Sequence, residues 1–146
     1  MSAVVSRVAV STPDGPRDVP AVLRLVAELP GLPGHDEFSL EPLDDEGVLF
    51  ALRSAPEGAR AVRLFVVAPH VFFADYAPEL EDDVLRTLDP DDDAADPVLL
   101  AVVHPADDDR ARHSANLLAP VVVEPRHGRA RQVVLDADLP LRAPLG

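Results

Sequence analysis

The sequence predicts a mainly β, single-domain, antiparallel barrel-like fold with one short helix around residues 78–88. Three observations lead there. Sixteen prolines and seven glycines in 146 residues cut the chain into short apolar runs about every ten residues, the rhythm of a sandwich or barrel. One of those runs, at 61–68, is apolar on both faces, as expected of a central strand covered twice. Only one segment carries a helical period. At 15.6 kDa the chain has the length of one domain with its own hydrophobic core.

Val4, Val5, Val8 and Val10 begin a first strand, closed by the turn sequence Thr12-Pro13-Asp14-Gly15. Val22 to Val26 forms a second. The stretch Leu29-Pro30-Gly31-Leu32-Pro33-Gly34 cannot continue a regular ladder, because each proline lacks an N–H, so it reads as a bend. Strands at Phe38–Leu43 and Gly47–Ser54 follow. The turn Pro56-Glu57-Gly58 then leads into Ala61–Ala68, where Val62, Leu64 and Val66 oppose Arg63, Phe65 and Val67.

The helix is read from Pro78 at a first helical position, Glu79 and Glu81 in the first turn, and Leu80, Val84 and Leu88 at i, i+4 and i+8. Pro90 ends it by Asp89. Asp91 to Asp96 is a loop by composition, and Val98 to Val103 an apolar strand. Asp107 to His113 reads as a charged loop or short helical turn. Asn116–Glu124 and Arg131–Asp136 form a hairpin with Arg126-His127-Gly128-Arg129 at its tip. Residues 137–146 make a proline-containing C-terminal tail. The whole chain, 1–146, is therefore one domain.

Thirteen basic residues against 26 acids give a net charge of −13. That balance argues against direct binding of nucleic acid, which requires positive charge to displace counterions, and against an anionic membrane surface. With 47% hydrophobic residues the chain is no disordered acidic tail. No apolar run approaches the roughly 20 residues of a membrane span, and no secretory signal follows Met1, so a cytoplasmic protein is expected. The charge is uneven. Residues 75–109 hold 13 acids and one arginine, a net of −12, whereas residues 110–146 hold six arginines and three acids. Such a block is either a solvated face with loops or a steering surface for a basic partner.

Motifs for chemistry are missing. Without cysteine there is no disulfide, thiolate nucleophile or Cys-ligated metal. The acids come in runs that water can reach, unlike a glycosidase pair with one carboxyl raised by an apolar pocket. Asp91-Asp92-Asp93 lacks the alternation, glycine and closing glutamate of an EF-hand loop. No two of His35, His70, His104, His113 and His127 lie at helical zinc spacing. Ser114 sits in no nucleophile elbow. No cofactor and no enzymatic activity are expected.

Five segments in order carry a resemblance: LPGLPG at 29–34, LFALRS at 49–54, FVVAPHVFFADY at 65–76, SANLLAP at 114–120 and RQVVL at 131–135. This arrangement resembles the flagellar assembly factor FliW family across nearly the whole chain. His35 stands where the family usually has an aromatic, Arg53 where it commonly has Gln, and Ser114 where it has Thr. Glu124 replaces a frequent Asn, and Leu139 a frequent Tyr. The resemblance implies a small non-enzymatic β-barrel that is a monomer when free and binds two protein partners in turn. One is flagellin, held in the cytoplasm before export. The other is CsrA, the dimeric translational repressor of flagellin mRNA, which such a protein antagonises until flagellin displaces it.

Joined to the charge map, the resemblance gives the acidic block an addressee, since an RNA-binding repressor must be basic. The candidate partner contacts are Phe72, Asp75, Tyr76, Glu79, Asp82 and Asp83. Tyr76, with an apolar ring and a polar tip, is the favoured interface anchor, and at least one of Phe72 and Phe73 is expected in the core. Asn116 is expected to satisfy backbone at a strand start. Two readings compete with this one: flagellin binding alone, or an acidic adaptor for another basic protein. A cation-dependent or carboxylate enzyme is the least favoured.

Overall fold

A computed structural model describes residues 6–27, 29, 32, 34–54, 60–88, 97–105 and 113–145. The expected loops at 56–58 and 91–96, and nearly all of the segment 107–113, lie outside the described residues. So do Val4 and Val5 and half of the proline–glycine bend.

The chain opens with a hairpin, β1 (Arg7–Thr12) and β2 (Gly15–Pro20), joined by the anticipated two-residue turn. The sequence hides β2, because two of its six residues are prolines and only Val19 is a strong strand former. It is tolerated because β2 is an edge, where a missing N–H breaks no second ladder. Then come β3 (Val22–Leu25), β4 (Glu37–Pro42), β5 (Leu49–Ser54) and β6 (Val62–Val67), with β4, β5 and β6 each antiparallel to the strand before. A single 3₁₀ turn (Pro69–Val71) leads to α1 (Asp82–Leu88). The remaining strands are β7 (Val98–His104), β8 (Ser114–Ala115), β9 (Val121–Val123), β10 (Arg129–Gln132) and β11 (Ala143–Pro144).

Strands β3 to β7 with β9 and β10 close on themselves through β7–β9 and β10–β3. The result is a seven-stranded barrel, as the sequence predicts in kind. One seam departs from the expected antiparallel pattern: β10 lies parallel to β3, with Arg129 opposite Arg24 and Ala130 opposite Leu25. A parallel pair needs a long crossover, and more than a hundred residues separate these two strands. The C-terminal tail is also more than a tail. Its β11 pairs with β8, and Ala143 is buried.

The core has two layers, divided by the pleat. Val66, Leu100, Val121 and Val123 point into the barrel with Leu23, Phe38, Leu40, Phe50 and Leu52, joined by Val8, Val10 and Val19 of the first hairpin. The alternate residues Val67, Ala101 and Val122 point outward, into a second cluster with Tyr76, Leu88, Leu117, Val133, Leu135 and Ala143. The expected double cover of 61–68 is thus confined to the C-terminal half of β6, since Arg63 is exposed and stacks on Phe65 at 4.9 Å.

The helix begins at Asp82, four residues later than its sequence period suggests. Pro78 disfavours helical backbone at Ala77, and residues 77–81 belong to no helix or strand. Leu80 therefore reaches the outer cluster from a non-helical segment, and only Val84 and Leu88 do so from α1.

Gly128 holds the turn between β9 and β10 at a φ of +76°, and a Cβ there would lie 2.8 Å from the Val22 carbonyl oxygen. Its own carbonyl accepts the Arg24 N–H at 2.8 Å, on the parallel seam. Gly128→Ala should therefore cost about 2–4 kcal/mol by urea unfolding, combining left-handed strain with a backbone clash. Gly34→Ala, at a φ of +85° with open space around it, should cost about 1 kcal/mol. Equal losses for the two would contradict a tight seam.

Candidate functional site

A groove of about 1150 Å³ runs along the outer layer between two walls, residues 75–84 and 131–139. It exists because the outer cluster is covered from two directions that do not meet. One cover is the segment from the 3₁₀ turn to α1, the other the chain running from β10 to β11. Leu80, Val84, Val133, Leu135 and Leu139 give the groove an apolar floor continuous with the outer cluster. Asp75, Glu79, Glu81, Asp82 and Asp136 line it with carboxylates, against Arg131.

Two arginines of β10 fix the helix beside the groove. Arg129 Nη1 donates to the Leu88 carbonyl oxygen at 3.2 Å, and Arg131 Nη1 to Thr87 Oγ1 at 3.1 Å. Positive charge at a helix C-terminus is favourable, and a charged donor to an unpaired carbonyl contributes more than a neutral one. The basic C-terminal hairpin thereby holds the acidic helix in place. Arg131 Nε is buried and has no hydrogen-bond partner among the described residues.

The six sequence-predicted contacts divide. Asp75, Tyr76, Glu79 and Asp82 line the groove together. Asp83 lies one position further round the exposed helix face, 3.7 Å from Arg86. Phe72 sits on the 3₁₀ turn, away from the groove lining, and stays 41% exposed beside Val71 at 48%. Phe73 is partly buried and packs against the outer cluster, so the expected core phenylalanine lies at the edge of that cluster and not within it.

Tyr76 requires a correction. It is not a free interface anchor but a strut: its ring is 9% exposed, and its hydroxyl donates to the Leu117 carbonyl at 2.7 Å. The polar tip that suggested an interface is satisfied inside the molecule, where it ties the segment after β6 to the segment before β9. Burial pushes its hydroxyl up to about 12 from an ordinary value of 10.0.

Sequence reasoning passes over Val134, which lies on the opposite wall at 74% exposure. The run Val133-Val134-Leu135 offers the signal, since a strand with one buried face must turn its middle residue to solvent. Asn116 satisfies backbone as expected, though at a bend after β8 and not at a strand start, its Oδ1 accepting the N–H groups of Leu118 and Ala119 at 3.1 and 3.0 Å. Glu124 closes the β9–β10 turn, its two oxygens accepting the N–H groups of Arg126 and His127 at 2.7 and 2.8 Å. His35 is buried against Ser54 Oγ at 2.8 Å, with its ring 6.3 Å from that of Phe38. No helix is long and apolar enough to cross a membrane among the described residues.

Comparison with known proteins places this architecture. The family model described as FliW protein matches residues 15–145. The flagellar assembly factor FliW of Exiguobacterium sp. (strain ATCC BAA-1283 / AT1b) is 34% identical over 125 residues, covering 85% of this chain and 83% of that protein. The Bacillus subtilis (strain 168) flagellar assembly factor FliW is 30% identical over 121 residues, covering 81% and 80%. A crystal structure of the flagellar assembly factor FliW superposes with a TM-score of 0.73 at 23% identity, covering 97% of both chains.

Tyr76→Phe leaves the Leu117 carbonyl without its donor and should cost about 1–2 kcal/mol by chemical unfolding. The unfolded chain loses the Tyr76 proton first as pH rises past 10.0, so the native protein loses stability between there and about 12. That alkaline decline should be shallower in Tyr76→Phe than in the parent, measured by unfolding midpoint against pH.

Proposed function

Because this chain belongs to the FliW family, we propose that it is a flagellar assembly factor acting by binding rather than catalysis. It holds flagellin before export in the cytoplasm and antagonises the translational repressor CsrA, so that flagellin level feeds back on flagellin synthesis. The names of its relatives support the flagellar role. The observation that carries the partner-binding reading is the acidic-lined groove, where five carboxylates border an apolar floor. Apolar area supplies affinity, and the surrounding charge selects a basic surface and speeds its encounter.

Sign matters for the order of events. CsrA must be basic to grip RNA, and a surface of opposite charge draws it in at rates that fall with salt. Asp75, Glu79 and Asp82 line the groove, Asp83 lies beside them on the helix, and Phe72 is kept as a further exposed contact outside the groove lining.

Purified flagellin and CsrA titrated separately against the protein test this reading, with micromolar or tighter binding expected for both. Binding of flagellin alone would reduce the function to that of a flagellin chaperone, and binding of neither would remove the family function from this chain. Replacing Glu79, Asp82 and Asp83 together by Ala should weaken CsrA binding by about tenfold at low salt and flatten its salt dependence. Unchanged low-salt affinity would take the acidic helix out of the interface.

A further inference from the structure

We propose that the groove receives an extended segment of a partner as an added β-strand, one whose side chains alternate between apolar and basic. The inference rests on the partner-binding reading above and adds the form in which the partner is held.

Backbone accounting leads to it. The chain leaving β10 keeps one edge bonded: Val133 N–H donates to the Pro120 carbonyl at 3.0 Å and Leu135 N–H to that of Leu118 at 2.8 Å. Its other edge loses β3 after Val26 N–H donates to the Ala130 carbonyl at 2.9 Å. Backbone groups alternate sides along an extended chain, so those of Gln132 and Val134 point away from the 118–120 segment, and both residues line the groove. Among the described residues no backbone hydrogen bond reaches them. Across the groove the Ala77–Leu80 segment, which belongs to no helix or strand, likewise makes no backbone hydrogen bond through its N–H groups among the described residues. Both walls thus offer main-chain donors and acceptors to whatever lies between them. Residues 132–136 span about 14 Å at strand rise, room for roughly four residues of added strand.

Side chains decide what the strand is. The apolar floor of Leu80, Val84, Val133 and Leu135 suits one face of a strand. The five bordering carboxylates suit a face carrying Lys or Arg. They also reject a second copy of this chain, which would bring the same acids and a net charge of −13 to the contact. An unpaired edge invites indiscriminate pairing unless charge restricts it, and here the charge is of one sign.

The test uses the intact protein and a labelled eight-residue peptide alternating Val with Lys or Arg, followed by fluorescence anisotropy. The peptide should bind, and an otherwise identical peptide N-methylated at alternate amides should bind at least about tenfold more weakly, since methylation removes main-chain donors. An Asp/Glu version should not bind. Val134→Pro, which removes a groove-facing N–H without touching an internal bond, should weaken the parent peptide to a similar degree. Equal affinity of methylated and unmethylated peptides for the parent protein would overturn the proposal whatever the variant does. So would absence of binding at about 1 mM peptide, where even weak strand addition registers. Full-length flagellin or CsrA binding while the peptide fails would leave the family reading in place and remove strand addition. Peptide binding without either full-length partner would keep strand addition and remove the family reading.

Discussion

Strands β6, β7 and β9 carry apolar side chains on both faces, so closing the barrel around its interior buries only half of what must be buried. Val66, Leu100 and Val121 are satisfied by closure, but Val67, Ala101 and Val122 are left facing outward. Each such valine contributes about 1.5–3 kcal/mol when removed from water, and Ala101 less, so an outer cover is as necessary to the fold as the barrel. The chain supplies it twice, from residues 69–88 and from residues 133–145. Tyr76 joins the first cover to the segment before β9 through the Leu117 carbonyl. β11 anchors the second by pairing with β8.

The groove is the line along which these two covers fail to meet. Its character follows from what each cover brings. The first arrives acidic, ending in a two-turn helix with Asp82 and Asp83 in its first turn. The second leaves β10 with the Val133 and Leu135 N–H groups bonded to the 118–120 segment. Arg129 and Arg131 fix the distance between them by holding the helix C-terminus against β10. The contrast between an acidic block and a basic C-terminal segment is thus partly structural: the basic part positions the acidic part along the groove.

Much of this was legible in residues whose neighbours are local. The turn at Thr12–Gly15, the alternation of 61–68, and the hairpin closed by Gly128 depend on a few adjacent side chains, and all three are present. The elements that escaped depend on distant ones. β2 is a strand because β1 lies beside it, not because its own residues prefer one. β11 exists through Ser114 and Ala115, and the parallel seam through a strand at the opposite end of the chain. The acidic residues of the site were readable from composition, whereas the fate of Tyr76 was not. An amphipathic ring serves an interface or a strut equally well, and the Leu117 carbonyl that decides the matter is 41 residues away. Val134 was missed for a related reason, since an apolar residue inside an apolar run looks like core until the strand's buried face is known.

Partners are proposed to meet this molecule at the groove between its two outer covers. Amide hydrogen exchange of the protein, free and saturated with flagellin, tests it most directly. The account predicts slowed exchange in residues 131–136 and 75–84 on binding, with the β1–β2 hairpin unchanged. Protection confined to that hairpin, with exchange along both groove walls unaltered, would contradict it.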